Sequence, residues 1–172
     1  FSLEKESIPE WTKFLQGYYD TSGVLSDSFD QVITFNSRGD FRLAQEMVNK
    51  GIRLEKAVKP SSSYMGFNMT DPVVGGYSRR AKLLRQAISI AVDYEELLSI
   101  FANGRGLAAQ GPIPPGIFGY VAGEEGVNKN VYDWIEGEAK RKSEEVARSL
   151  LAEAGYTDGR ELGKDGPLTL YY

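Results

Sequence analysis

The chain has 172 residues, 41% hydrophobic and 26% charged, with 20 basic against 24 acidic side chains for a formal net charge of −4. That balance fits a globular domain with a sizeable core. It gives no global basic field for nucleic acid or anionic lipid, and no apolar run approaches the roughly 20 residues of a membrane span. Cys and His are absent, which removes disulfides, thiolate nucleophiles, Cys- or His-based zinc sites and the Ser-His-Asp triad. A binding protein is favoured over an enzyme, with no metal and no cofactor expected.

The chain opens at Phe1 without an initiator Met or an export signal, and it closes on the alternating run Leu168-Thr169-Leu170-Tyr171-Tyr172. We expect a segment cut from something longer. Ser7-Ile8-Pro9-Glu10 has capping-box spacing, and Ile8, Trp11, Phe14, Leu15 and Tyr18 form one apolar helical face behind it. The stretch from Ser26 to Ile33 fits no single period. Phe41 to Asn49 predicts a short helix with Leu43, Ala44, Met47 and Val48 inward and Gly51 as its stop.

Two strands are expected next. In the first, Ile52, Leu54, Lys56 and Val58 share one side. In the second, Met65, Phe67 and Met69 form a core face, while Tyr64, Gly66 and Asn68 form a polar, aromatic face open to a ligand. The period then becomes helical from Arg80 to Asp93, with Leu84, Ala87, Ile88 and Ala91 inward. Asp93 caps a further helix, with Glu96 as its box partner; Leu97, Leu98 and Phe101 are the expected buried stripe and Asn103-Gly104 the stop. A connection rich in Gly and Pro follows, centred on Gly111-Pro112-Ile113-Pro114-Pro115-Gly116. A last helix is predicted from Gly137 to Ala154, with Val146, Ala147, Leu150, Leu151 and Ala154 inward. With no repeat and no linker, residues 1–172 read as one unit.

Most short motifs dissolve on inspection. Gly159 to Lys164 has one residue too few between its glycines for a phosphate loop, and Gly104-Arg105-Gly106 lacks the third dinucleotide glycine and follows a helix. Ser2-Leu3-Glu4-Lys5 is a chance Ser-x-x-Lys spelling. Asn68-Met69-Thr70 spells a glycosylation acceptor but falls in a predicted strand. Glu138 with Lys142 and Glu144 with Arg148 have favourable helical spacing and read as a solvated face. Arg79, Arg80, Lys82 and Arg85 form a small basic patch, read as surface. Glu124-Glu125 offers two carboxylates, but adjacency in a loop does not specify a shared acid/base site.

Gly66-Phe67-Asn68, Pro72 and then Leu84-Arg85-Gln86-Ala87-Ile88-Ser89-Ile90-Ala91-Val92-Asp93 resemble the extracellular solute-binding proteins of family 5, the dipeptide, oligopeptide and nickel group of ABC importers. Gly111 to Pro115 is similar to that family's Gly-(Pro)-x-x-Pro-Pro segment. Trp11, Phe14, Gly17 and Asp20 resemble its Trp-x-x-Phe-x-x-Gly-x-x-Asp helix exit. Ala147 to Gly155 and Leu168-Thr169-Leu170 resemble its Ala-x-x-Leu-Leu-x-x-Ala-Gly helix and following strand. The link Val73 to Leu83 is longer than the family's usual one.

The resemblance implies an α/β fold, part of the second lobe of a type II periplasmic-binding protein, with a mixed sheet flanked by helices. It implies a periplasmic or otherwise exported parent that closes around a peptide or similar small solute and is read by a membrane ABC permease. Tyr64, Gly66 and Asn68 are the expected cleft residues. A carboxylate-dependent glycosidase fragment and a peptide-sensing receptor lobe are the alternatives. Surface left open by missing neighbours is expected to favour self-association.

Overall fold

The computed structural model describes residues 4–36, 40–157 and 160–161. The closing strand at Leu168–Tyr172, the Ser2-Leu3 pair and most of the Gly159–Lys164 loop lie outside them. The chain gathers into two compact units, residues 1–58 with 97–106 and residues 59–96 with 107–172.

The first unit begins with α1 (Ser7–Leu15). The capping box does not form: the helix already includes Ser7, and Glu6 at the cap makes no side-chain bond. Trp11 is buried with Phe14 at 5.4 Å, whereas Ile8 and Tyr18 are exposed. Lys13 and Tyr19 both donate to the Glu4 carboxylate, which ties the helix exit to the residues before it. Those bonds, Lys13 first, hold the Glu4 carboxyl below its usual range.

The ambiguous stretch resolves into a 3-10 turn at Ser26–Ser28, α2 (Phe29–Val32) and β1 (Ile33–Phe35). The helix expected from Phe41 splits. Phe41–Leu43 is β2, paired with β1 in the register Ile33↔Leu43, and only Gln45–Asn49 is helical, as α3. Aromatic contacts win over the helical period here: Phe41 lies 5.2 Å from its cross-strand partner Phe35 and meets the edge of Phe29 on α2 at 5.7 Å. Trp11, Phe29, Val32, Ile33 and Met47 form the core; Val48 stays half out at 49% exposure.

The second unit is built on α4 (Arg79–Ala91) against α6 (Glu144–Glu153). Ser78 caps α4 by accepting from the Ala81 N–H. The buried residues are Ala81, Leu84, Ala87 and Ile90, so the inward face is rotated from the predicted one: Ile88 is half-buried and Ala91 exposed. Between them lies a hairpin, β3 (Tyr132–Ile135) and β4 (Glu138–Arg141), whose second strand occupies the start of the expected last helix. Its two-residue turn, Glu136-Gly137, takes positive φ at both positions (54° and 87°), as such hairpins require. Lys142 therefore bonds not to Glu138 but to Asp133, at 2.7 Å; Glu144 and Arg148 do pair, at 2.7 Å.

From Tyr94 to Ala102 runs α5. Asp93 accepts from the Glu96 N–H at 2.9 Å, the expected cap, and Gly104 N–H reaches back to the Leu98 carbonyl at 2.9 Å, the expected stop. The expected buried stripe is mostly open: Leu98 is half-buried, but Leu97 and Phe101 are 42% and 73% exposed. A short pair, β5 (Tyr156–Thr157) with β6 (Arg160–Glu161), completes the described elements. The fold is α/β, and its sheets among the described residues are three antiparallel pairs rather than one mixed sheet.

Candidate functional site

The two strands expected between Ile52 and Met69 are irregular backbone. Ile52 and Leu54 keep half of the expected alternation; both are half-buried. On the second segment Tyr64 is 89% exposed, and Gly66 and Asn68 are exposed as predicted for an open face. The opposite face is not a core: Met65 and Met69 are exposed and only Phe67 is half-buried. Parity is enforced by pairing with a neighbouring strand, and this segment has none among the described residues.

Downstream of Tyr64 the backbone is tightly built. The Asn68 side-chain oxygen accepts from the Thr70 N–H at 3.0 Å and from its hydroxyl at 2.8 Å. The Asp71 carboxylate accepts from the N–H groups of Val73 and Val74 at 2.8 and 2.9 Å. Gly75 N–H donates to the Asp71 carbonyl and Gly76 N–H to the Met69 carbonyl, at 3.0 and 2.9 Å. A Cβ on Gly75 would lie 2.6 Å from the Met69 carbonyl oxygen, so only glycine fits there. Arg85 on α4 reaches over and donates to the carbonyls of Val74 and Gly76. Sequence reading missed this turn, although Asn68, Asp71, Pro72, Gly75 and Gly76 are turn formers at close spacing. Asn68-Met69-Thr70 accordingly lies at an exposed turn and not in a strand.

The basic patch disperses into separate contacts. Arg79 pairs with Glu153, Arg80 stacks on Tyr156 at 4.6 Å, and Arg85 is taken up by the turn. Glu124 and Glu125 sit exposed on a 3-10 turn, Gly123–Gly126. Arg141 donates to the Ile90 carbonyl at the end of α4 and to the Asp93 carboxylate, with Glu95 at 3.4 Å. Beside them Tyr132 is buried, and among the described residues its hydroxyl has no partner in hydrogen-bonding geometry. Burial first, then the nearby Glu95 carboxylate, pushes its ionisation well above the usual tyrosine range. In the first unit, Phe14, Leu15, Gln16, Gly17, Lys50 and Ile52 line an open groove of about 410 Å³. Among the described residues no group of three acidic side chains converges as a metal site, and no helix is long and apolar enough to cross a membrane.

The family model described as bacterial extracellular solute-binding proteins, family 5, middle region, matches residues 12–172. Heme-binding protein A of Haemophilus influenzae is 35% identical over 78 residues, 45% of this chain but 12% of that protein's length. No solved structure matches the chain. The family match takes in the Phe14 helix exit, the 66–76 turn, the Arg85-Gln86-Ala87 helix and the Ala147 to Gly155 helix, in that order. The chain belongs to the family 5 bacterial extracellular solute-binding proteins.

Proposed function

We propose that the chain is a piece of the second lobe of an exported solute-binding protein that captures a peptide or similar small solute and delivers it to a membrane ABC permease. The observation that carries this reading is the family match over residues 12–172. The role is binding without catalysis. Tyr64, Gly66 and Asn68 form part of the wall of the ligand cleft, where a peptide backbone is read by hydrogen bonds and its side chains are left in wet pockets. The exposure of all three side-chain positions supports that placement.

A second reading, haem capture, is favoured by the name of the Haemophilus relative. Without His or Cys, iron ligation from this segment would fall to Tyr or Met, and Tyr64, Met65 and Met69 are exposed on one stretch. Mass spectrometry of solutes that co-purify with the full-length protein decides between the readings. Co-purifying peptides are expected. An absorbing porphyrin in their place would move the assignment to haem, and a bare protein that gives no heat with trialanine in a calorimeter would overturn the peptide reading.

A further inference from the structure

We infer that Arg85 is the positioning residue of the candidate ligand wall: it holds the 68–76 turn in the one conformation that presents Asn68. The inference rests on the reading of Tyr64, Gly66 and Asn68 as cleft wall. A guanidinium never sheds its charge, so where it is half-buried it must be matched by acceptors. Arg85 is half-buried, and its acceptors are two main-chain carbonyls of the same turn, Val74 and Gly76, the latter at 3.0 Å.

The other bonds lie within the turn itself, the widest from the Gly76 N–H to the Met69 carbonyl. Asn68 and Asp71 close onto N–H groups two or three residues away, and such Asx contacts can form in many backbone conformations. Arg85 supplies the polar anchor of the turn to α4, beside the packing of Val73 and Val74 against the cluster around the fully buried Leu84. The anchor acts on the stretch just before α4, which starts at Arg79: fastening Val74 and Gly76 leaves only Tyr77 and the capping Ser78 between the anchored turn and the helix. Gly75 fits the same picture, since the close passage of its backbone over Met69 exists only while the turn is shut.

The test uses the full-length protein carrying Arg85→Ala, Arg85→Lys or, as a control on the same helix, Arg79→Ala. Amide hydrogen exchange is read at Val73, Val74, Gly75 and Gly76 and at Ile88 and Ile90 in α4, alongside trialanine affinity by calorimetry. Arg85→Ala should speed exchange in the turn roughly ten- to a hundredfold and leave α4 as in the wild type. Trialanine affinity should fall about tenfold. Arg85→Lys, which keeps the charge but not the planar fork, should fall between, and Arg79→Ala should change neither. Unchanged exchange in the turn, or an equal rise at Ile88 and Ile90, would overturn the inference, as would a loosened turn with trialanine affinity intact. A wild type that takes no trialanine overturns the peptide reading alone, and the exchange data then decide the role of Arg85. Should Arg85→Ala fail to fold, Arg85→Lys against Arg79→Ala makes the same comparison.

Discussion

Helices α4 and α5 follow one another across Val92-Asp93 and carry similar amphipathic sequences, yet they are held in opposite ways. On α4, Leu84 and Ile90 have no exposed surface. Leu84 packs with Val73, Val74, Ala154 and Tyr156, and Ile90 with Val131, Tyr132 and Ala147. On α5 no residue is buried, and Ile100 and Phe101 are 60% and 73% exposed. Polar contacts fix its ends instead. Asp93 caps its start, with Arg141 on that carboxylate, and past its exit Arg105 donates to the Val24 carbonyl and Ser26 hydroxyl and covers the Phe29 ring at 5.1 Å. An apolar stripe states that a helix has a face to bury; which partner the chain supplies decides whether it is buried.

The sharpest break of this comparison is a matched pair of truncations. Leu84→Ala should cost about 3 kcal/mol in urea unfolding, because it removes a fully enclosed side chain and leaves a cavity. Leu97→Ala should cost about 0.5 kcal/mol or less. Equal costs would mean that α5 packs its face in solution. Next in size is the junction between the helices. Arg141→Met removes the donor to the Ile90 carbonyl and the counter-charge of Asp93, for an expected loss of about 2 kcal/mol that shrinks as salt is added. A loss that ignores salt would show that the aliphatic stem, not the charge, does the holding.

The same contrast explains what could be read in advance. The Asp93 cap and the Asn103-Gly104 stop were legible because they are local: a carboxylate three residues before an N–H and a residue pair tolerant of positive φ. The existence of α4 was legible from its period. Its inward face was misjudged by part of a turn, since α6 and the hairpin, distant in sequence, choose which residues point in. The hairpin itself carried a signal in Glu136-Gly137, but the acids and bases around it also fit a helix, and the helical spacing of Glu138 and Lys142 prevailed over the turn. At the candidate site, the openness of Tyr64, Gly66 and Asn68 was legible, whereas the supposed core at Met65 and Met69 required a partner strand that the described residues do not provide. Arg85 was visible as part of a motif and invisible as a clamp, because its acceptors are main-chain carbonyls, which leave no mark in a sequence.

Phe67 sits between the two extremes, and Phe67→Ala sharpens the scale. Full burial would cost about 3–5 kcal/mol; half-burial lowers the expectation to about 1–2 kcal/mol in the same urea assay. A value near the upper range would place Phe67 in a core after all. Tyr132→Phe comes next, on the wall of α4. It deletes a buried hydroxyl that has no bonded partner among the described residues, so at neutral pH its stability should lie within about 1 kcal/mol of wild type. In alkali the two should diverge. The folded protein holds the Tyr132 proton above the ordinary value of 10.0, so as pH rises past it the unfolded state loses the proton first and the wild type loses stability. Phenylalanine has no proton to lose. Identical alkaline curves for the two proteins would show that Tyr132 is solvated.

The smallest expected effect is the most direct probe of α5. Phe101→Ser replaces the most exposed apolar side chain of that helix, 73% open to solvent, with a small polar one. Nothing enclosed is vacated, so no cavity term arises, and the modest loss of helix propensity is all that remains. Unfolding free energy should shift by about 0.5 kcal/mol or less. The state of association should respond more than the stability. With Leu97, Ile100 and Phe101 on show together, the chain is expected to self-associate at high concentration, and one serine in that stripe should lower its sedimentation coefficient toward the monomer value. If Phe101→Ser destabilises as strongly as Leu84→Ala in dilute solution, where chains are apart, then Phe101 is already covered within the molecule and α5 is held by its face as α4 is.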